Sequence, residues 1–332
     1  MKVLFVTGGG IGDLLMTTPM YRALKNERPN VHVTVLIVQS VNRHLLHGNP
    51  FVDDVIDWND FTGSVFKLSA ELRGRGFTHA VHNHSCPRWR FYTVPLLAGI
   101  PNRFGFDRRS TGKGMKTLIQ KWLLTGHVPY RAKEELRTRM NLHLMRHIGI
   151  RDDDISYGLH LETSAKADPE RVGMHPGSDG RGAIKRWPAE HFMELAGRLV
   201  REHAKSVVFY IGPAEKELKH VIRPENGIEV KECPSISALV KDMSACGSFI
   251  SNDSGISHIA AALKIPTVVL FGPTKPDEYV LPTKNTDLCT TGFDCHECFR
   301  TKKCQHCAPT CLTTLTVDEV LSGYTELMET GR

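Results

Sequence analysis

The sequence contains no apolar run of the roughly 20 residues that a membrane-spanning helix needs, and its mean hydropathy is −0.24. The apolar run that opens MKVLFVTGGGIGD breaks into glycines and an aspartate, which is typical of a strand and turn and not of a secretory leader. These features predict a cytoplasmic protein. Its 332 residues, 41% of them hydrophobic, suffice for two domains with separate cores.

The dinucleotide fingerprint G-x-G-x-x-G is also missing, because Asp13 stands at the third glycine position of GGGIGD. This absence argues against an NAD-dependent oxidoreductase. The glycines permit a tight turn and the close approach of a ligand. Asp13 follows a predicted strand and opens a predicted helix. Two roles therefore stay open for it, a cap of that helix or a general base at the strand end.

Two series of alternating strands and helices follow one another along the chain. Strand, glycine-rich turn, helix and strand make a βαβ unit in residues 2–38, and a second series begins near residue 171. They predict an α/β protein with two Rossmann-like domains that face each other across a cleft. The polar stretch 151–170 separates them, which predicts domains 1–160 and 161–332. Whether the final helix packs on the N-terminal domain stays open.

Positive charge is concentrated in the first domain. Residues 1–160 hold 22 lysines and arginines against 13 acidic residues, whereas residues 161–332 hold 20 against 23. Segment 88–146 alone has 13 basic and three acidic residues, and such a field favours an anionic partner. Nucleic acid, an anionic membrane surface and a phosphorylated substrate all fit. The pattern predicts a solvated helical face over 131–146 and a mobile basic loop over 103–121.

Loops that follow predicted strands of the second domain are the places where such sheets bind ligands. In HPGSDGRGAIKRWP, a hydroxyl from Ser178 and a cation from Lys185 can hold an anion beside a helix start. Asp253, Ser254 and Gly255 open a helix directly after a strand, so its amides suit a diphosphate. A basic surface loop without a ligand is the other interpretation of the first of these loops.

Two further residues each allow two interpretations. Glu215, in IGPAEKE, can accept hydrogen bonds from ribose hydroxyls or serve only as a first-turn acid. His258, one turn into the helix that follows Gly255, can touch a ligand or be a packed histidine with internal partners.

Six of the nine cysteines lie within 23 residues. They are Cys289, Cys295, Cys298, Cys304, Cys307 and Cys311. The middle four form two C-x-x-C pairs, the usual plan of a structural zinc site, with Cys311 as an alternative ligand. Thiolates also bind iron, and a reduced loop without metal is the remaining interpretation.

Taken together, these loops resemble glycosyltransferase family nine, the bacterial ADP-heptose:lipopolysaccharide heptosyltransferases. The resemblance runs in order from GGGIGDLLMTTPMYRALKNERP through HPGSDGRGAIKRWPAEHF and GPAEKE to NDSGISHIAAALKIPTVVLFGPTKP. It implies the GT-B fold and an inverting, metal-independent transfer. The N-terminal domain would bind the acceptor, and the C-terminal domain would bind ADP-heptose.

The resemblance also implies a role for each matching residue. Asp13 is then the catalytic base, and Lys185 contacts a phosphate. The donor-binding residues that follow are Ser178, Lys185, Glu215, Asp253, Ser254 and Gly255, and His258 is added from its place in the same helix. The glycine-rich turn and the basic segment supply the expected acceptor-binding residues, Gly10, Gly12, Arg108 and Arg109.

Two statements about partners follow from the resemblance. The anionic inner core of lipopolysaccharide is assembled at the cytoplasmic face of the membrane, so peripheral contact with the inner membrane is expected, and nucleic acid is not. Autotransporter heptosyltransferases carry a cysteine-bound iron motif, so a protein acceptor stays open. A non-catalytic nucleotide-binding protein with a zinc module is the alternative outside enzymes.

Overall fold

The computed structural model describes residues 1–86, 89–107, 119, 121–131, 135–161, 163, 166–178, 182–279, 285–289 and 311–330. The chain divides into two compact units, Met1–His160 and Leu161–Arg332.

The N-terminal unit contains a parallel six-stranded sheet in the order β3-β2-β1-β4-β5-β6. Its central strands are continuous apolar runs, as expected for strands covered on both faces. The strands are β1 (Lys2–Thr7), β2 (His32–Ile37), β3 (Asp54–Asp57), β4 (His79–His82), β5 (Asn102–Asp107) and β6 (Gly126–Pro129). The order reverses between β1 and β4, which makes the carboxyl ends of these two strands the switch point where ligands bind.

Helices connect these strands. Their bounds are Ile11–Leu15, Thr18–Glu27, Asn42–Leu46, Val65–Arg73, Trp89–Leu97 and Arg137–Met145, with 3-10 turns at Trp58–Phe61 and Arg146–Ile148. Two predictions for the basic segment were wrong. The loop predicted over 103–121 is wrong at 103–107, which belong to strand β5, and residues 108–118 and 120 lie outside the described residues. The helix Arg137–Met145 is not a solvated face, because seven of its nine residues are buried.

The C-terminal unit repeats the same plan, with the order β12-β11-β10-β7-β8-β9. The strands are β7 (Asp168–His175), β8 (Ser206–Tyr210), β9 (Ile228–Lys231), β10 (Cys246–Asn252), β11 (Thr267–Phe271) and β12 (Asn285–Cys289). All of its pairs are parallel. Here the order reverses between β7 and β10, so the loops after these two strands lie at the switch point.

Four of the five helices described in this unit bury apolar residues, and the short helix Pro276–Tyr279 buries none. Their bounds are Ala189–His203, Ile236–Met243, Gly255–Ala262, Pro276–Tyr279 and Val317–Glu329, with 3-10 turns at Gly182–Lys185, Pro213–His220 and Cys311–Thr314. The last helix, whose position the sequence left open, buries Val320, Leu321 and Tyr324 in the core that β7, β8 and β10 build. Among the described helices of the chain, none is long and apolar enough to cross a membrane.

Candidate active site

A buried asparagine at the switch point of the N-terminal unit joins the loops that follow β1 and β4. Asn83, just after β4, accepts a hydrogen bond from the Gly8 amide at 3.3 Å and donates one to the Thr17 hydroxyl at 2.8 Å. The glycine-rich turn after β1 and the start of helix Thr18–Glu27 are therefore tied to the end of β4. A side chain on Gly8 would collide with the Ser85 carbonyl, which explains why a glycine stands there.

Asp13 lies in helix Ile11–Leu15, directly after this turn, and both of its carboxylate oxygens have contacts. Oδ2 accepts a hydrogen bond from the Gly10 amide at 3.1 Å, and Oδ1 lies 3.0 Å from Nε2 of His84. The first contact makes Asp13 a cap of helix Ile11–Leu15, as one of the two interpretations stated. Its side chain nevertheless stays 31% exposed, whereas that of His84 is 4% exposed. The carboxylate is held in place and remains accessible, which are two requirements of a general base.

Gly9 provides a test of how closely the turn positions Asp13. Gly9 has a φ of +91°, and a Cβ on it would run into the Asp13 carboxylate. We expect Gly9→Ala to lower kcat at least tenfold, because the carboxylate must move and small misplacements of a catalytic group have large effects. Steady-state kinetics with a thermal melt measure this.

Gly48→Ala is the matched control for that substitution. Gly48 also has a positive φ, +68°, but nothing lies within 4 Å of the position where its Cβ would be. Both variants carry the backbone strain of roughly 1–2 kcal/mol, and only Gly9→Ala displaces Asp13. Equal kcat values in the two variants would contradict the positioning argument.

In the C-terminal unit, Asn252 joins the two loops of the switch point. Its amide nitrogen donates to the carbonyls of Pro176 and Gly177 at 2.8 and 3.3 Å, and its Oδ1 accepts from the Trp187 amide at 3.0 Å. Trp187 is buried and donates its indole N–H to the Leu315 carbonyl. The loop that carries Lys185 is thereby fixed at the end of β10.

Lys185 and Asp253 form a buried ion pair at this place. Their Nζ and Oδ2 atoms lie 2.8 Å apart, and both side chains are less than a tenth exposed. Thr274 donates a second hydrogen bond to Oδ2 at 2.6 Å. Burial alone would raise the pKa of Asp253, but the charge and hydrogen bond of Lys185, with the bond from Thr274, lower it below its ordinary value.

The lowered pKa of Asp253 predicts how acid affects stability. A depressed carboxyl pKa contributes stability that is complete at neutral pH and is lost as the pH falls below about 4, through the lower folded-state value. We therefore expect Asp253→Asn to have a shallower loss of unfolding free energy in acid than the wild type. Urea unfolding at several pH values measures this, with Asp318→Asn, an exposed acid, as control. Parallel curves for wild type and Asp253→Asn would contradict the prediction.

Ser254 and Gly255 begin the helix that follows β10. Ser254 is the N-cap of helix Gly255–Ala262. Its hydroxyl is buried and has no hydrogen-bond partner among the described residues. Buried polar atoms are rarely left in this state without a reason such as a bound ligand. Together with the helix amides and Lys185, this hydroxyl forms a candidate anion-binding site. His258 is buried one turn further along.

Ser178 and Glu215 lie in the loops after β7 and β8. Arg186 donates to the Ser178 hydroxyl at 3.3 Å and forms an ion pair with Glu217. Glu215 is buried and accepts the Gly212 amide hydrogen bond at 2.7 Å, as a first-turn acid does. A side chain on Gly177 would collide with the Glu215 carboxylate, so the two loops meet directly.

Comparison with known proteins relates this geometry to a family. The family model of glycosyltransferase family 9 (heptosyltransferase) matches residues 93–308, about two thirds of the chain. The chain belongs to glycosyltransferase family 9. It is 26% identical over 303 residues to lipopolysaccharide heptosyltransferase 2 of Escherichia coli K12, with 83% of this chain and 84% of that protein covered.

Solved structures show that the fold is GT-B. The E. coli ADP-heptose lps heptosyltransferase II superposes with a TM-score of 0.79 at 24% identity, over 100% of this chain and 99% of that one. E. coli heptosyltransferase WaaC with ADP gives 0.75 at 18% identity, over 98% and 100%. The predicted family, fold class and glycosyltransferase activity are thereby confirmed for this family 9 enzyme.

Several predicted site residues of this glycosyltransferase lie outside the described residues. They are Arg108, Arg109, Cys295, Cys298, Cys304 and Cys307. Cys311 is described and buried, and a side chain on Gly272 would contact its sulfur. Among the described residues, no group of three or more histidines, cysteines and acids could hold a metal ion. Gly10 and Gly12 lie in the turn and helix that carry Asp13.

The structure of this family 9 enzyme also brings forward residues that the sequence reasoning missed. Asn83 and His84 follow β4, Asn252 is the last residue of β10, and Thr274 lies just beyond β11. All four are buried. The rule that ligands bind at the carboxyl ends of strands would have found them, because each lies at such an end or within three residues of it.

Proposed function

We propose that this glycosyltransferase moves a heptose from ADP-heptose to the inner core of lipopolysaccharide with inversion at the anomeric carbon. The observation that carries the proposal is the anion-binding site at the C-terminal switch point. Here Lys185 and a helix N-terminus meet the Ser254 hydroxyl, which has no hydrogen-bond partner among the described residues. The choice of heptose as the transferred sugar is based on the names of the relatives of this chain.

The donor would bind through its diphosphate and its ribose. The amides of helix Gly255–Ala262 point towards its N-terminal end, where they favour negative charge. Lys185 adds a cation that Asp253 anchors, so we assign Asp253 to positioning and not to direct donor contact. Glu215 offers a carboxylate to ribose hydroxyls, with Ser178 and His258 on the flanking loop and helix.

The chemistry needs one base and one stabilised leaving group. Asp13 would take the proton of the acceptor hydroxyl as that oxygen forms a bond to the anomeric carbon. The bond from this carbon to the phosphate oxygen breaks on the opposite face, and ADP leaves with the electron pair. Lys185 and the helix N-terminus would stabilise the charge that develops on ADP, an effect worth about 3 kcal/mol for one well-placed donor.

The N-terminal unit suits an anionic acceptor. Residues 1–160 hold 22 basic against 13 acidic residues, which favours the phosphates and acidic sugars of a lipopolysaccharide core. We propose Gly10, Gly12, Arg108 and Arg109 as its contacts. A protein acceptor is the competing proposal. Autotransporter heptosyltransferases modify proteins and carry a cysteine-bound iron motif, which the cysteine cluster of this chain resembles.

A panel of nucleotide sugars tests the donor. We expect ADP-heptose to release ADP in the presence of a lipopolysaccharide core acceptor, and NAD and UDP-sugars to leave calorimetric titrations flat. The anomeric configuration of the product, read by NMR, then tests inversion. Equal binding of ADP and UDP, or a product that retains the donor configuration, would contradict the corresponding part of the proposal.

We propose a structural metal at Cys295, Cys298, Cys304 and Cys307, with Cys311 as the alternative ligand. Paired C-x-x-C thiolates suit zinc or iron, and the chemistry assigned to Asp13 uses no metal. We expect purified protein to carry about one zinc or iron ion per chain, and Cys295→Ser with Cys298→Ser to lose it. Elemental analysis measures this, Cys233→Ser is the control, and an equal metal content in both variants would contradict the site.

We also propose that the N-terminal unit contacts an anionic membrane surface. All eight large hydrophobic side chains that are exposed among the described residues belong to this unit. Six of them lie on the connections from β3 to β4, from β4 to β5 and from β5 to β6, which pack on one hydrophobic core cluster. These six are Phe66, Trp89, Leu96, Leu97, Ile119 and Trp122. Exposed aromatic residues beside basic ones are typical of membrane-interface surfaces.

Vesicle sedimentation tests this surface. We expect Phe66→Ser with Trp122→Ser to lower binding to vesicles that contain phosphatidylglycerol, while Val41→Ser, an exposed apolar residue elsewhere in the unit, leaves it unchanged. Equal binding of all three proteins would contradict the proposal.

A further inference from the structure

We infer that His84 and Asn141 are positioning residues that hold the Asp13 carboxylate for proton abstraction. The inference rests on the proposed role of Asp13 as the base. Neither residue belongs to the motifs that carry the family resemblance. Asn141 lies in the basic segment that had been interpreted as a solvated face.

Asn141 lies on helix Arg137–Met145 and is completely buried. Its Oδ1 accepts the backbone N–H of His84 at 2.9 Å. Its Nδ2 lies 3.0 Å from the Met16 carbonyl and 2.9 Å from Nδ1 of His84. The amide orientation is determined by these partners, since a backbone N–H requires the oxygen and a carbonyl requires the nitrogen.

This orientation selects the tautomer of His84. Because Asn141 presents an N–H to Nδ1, that ring nitrogen accepts and carries no hydrogen. The ring hydrogen is therefore on Nε2, which lies 3.0 Å from Oδ1 of Asp13 and donates to it. The chain of contacts runs from the buried helix through the ring to the carboxylate and is almost closed to water, since His84 is 4% exposed.

Two consequences follow for the reaction. The carboxylate is fixed at both oxygens, by His84 at Oδ1 and by the Gly10 amide at Oδ2. His84 itself does not relay the proton onward, because its Nδ1 is already occupied by the Asn141 amide. Asp13 thus holds the proton that it takes, and His84 controls where the carboxylate lies.

The test compares two replacements of His84. Methionine removes the N–H, whereas glutamine places an amide N–H close to where Nε2 stands. We expect His84→Met to lower kcat about ten- to hundredfold, the range typical of residues that orient a catalytic group, with unchanged ADP affinity by calorimetry. His84→Gln should recover most of the lost activity. His44→Met, an exposed histidine of the same unit, is the control.

Asn141→Asp and a double variant complete the design. Asn141→Asp replaces the amide donor that faces Nδ1 of His84 with an acceptor. The ring hydrogen is then no longer held on Nε2, so we expect kcat to fall. His84→Gln should partly restore kcat in this background. In the Asp13→Asn background, His84→Met should cause no further loss, because His84 acts through Asp13.

The outcomes separate the two proposals. Near-normal turnover of Asp13→Asn would overturn the assigned base, and with it the positioning role. A strong effect of Asp13→Asn together with near-normal His84→Met would overturn only the positioning role. Equal losses in His84→Met and His84→Gln, with equal losses in melting temperature, would show that the ring is needed for folding alone and would also overturn it.

Discussion

Replacing Asp13 with asparagine is expected to lower kcat by about a hundred- to ten-thousandfold, the usual contribution of a positioned general base. Asparagine has nearly the same shape but takes up no proton. Its oxygen can still accept the Gly10 amide hydrogen bond that caps helix Ile11–Leu15. The amide nitrogen then faces the N–H of His84, an unfavourable contact that adds to the loss.

Steady-state kinetics with saturating donor measure this effect, and calorimetry with ADP shows whether donor binding is retained. We expect the ADP affinity to stay within about twofold of the wild type, because Asp13 and the proposed diphosphate contacts belong to different units. Asp60→Asn, an exposed acid of the same unit that forms an ion pair with Arg43, is the matched control. Turnover of Asp13→Asn near that of Asp60→Asn would remove Asp13 from the chemistry.

The second large effect is expected at Lys185. Lys185→Ala should weaken ADP binding about ten- to a hundredfold, since a charge-assisted hydrogen bond contributes about 1.5–3 kcal/mol. It should also lower the free energy of unfolding by about 3–5 kcal/mol, because it leaves the buried Asp253 carboxylate without its partner. Calorimetry and urea unfolding measure the two effects separately.

A double variant separates the effect of this ion pair on ADP binding from its effect on the free energy of unfolding. Lys185→Met with Asp253→Asn removes both charges, so the unfolding free energy should recover part of the loss. The ADP affinity should stay low, because no cation is restored. Arg198→Met with Asp318→Asn, which removes an exposed ion pair of the same unit, is the matched control for both measurements. Unchanged ADP affinity in Lys185→Ala would contradict its proposed contact with a phosphate.

The α/β architecture could be predicted from the sequence because buried parallel strands appear in it as continuous apolar runs. The runs KVLFVT (2–7), HVTVLIV (32–38) and SVVFYIG (206–212) predict β1, β2 and β8 to within two residues at each end. The glycine-rich turn and the helix start at Ser254 also follow from local rules of chain reversal and capping. Strand order, by contrast, depends on long-range pairing that no local pattern encodes.

Helix Arg137–Met145 shows why part of the site could not be predicted. Its arginines, asparagine and histidine gave the appearance of a solvated face. The structure buries Arg137, which donates to the Tyr130 hydroxyl, and Asn141, which contacts the His84 ring. Burial of a polar residue depends on a partner elsewhere in the chain, here 57 residues away from Asn141, and such a partner is invisible to periodicity.

Lys185 makes the same point in the C-terminal unit. Position in a loop at a helix start predicted a cation for a phosphate, and nothing in the sequence indicated its ion pair with Asp253. The pairing matters because it is the reason why we propose Asp253 as an anchor of Lys185 and not as a ligand contact. It also makes the charge of Lys185 part of the stability of the unit.

The most direct test of the proposed activity is the product of a single reaction. The enzyme is incubated with ADP-heptose and with lipopolysaccharide cores truncated before each heptose, and the glycolipids are read by mass spectrometry. The account predicts a gain of one heptosyl residue on one of these cores, with release of an equal amount of ADP and loss of both in Asp13→Asn. Transfer to a protein acceptor alone, or no transfer to any core, would contradict it.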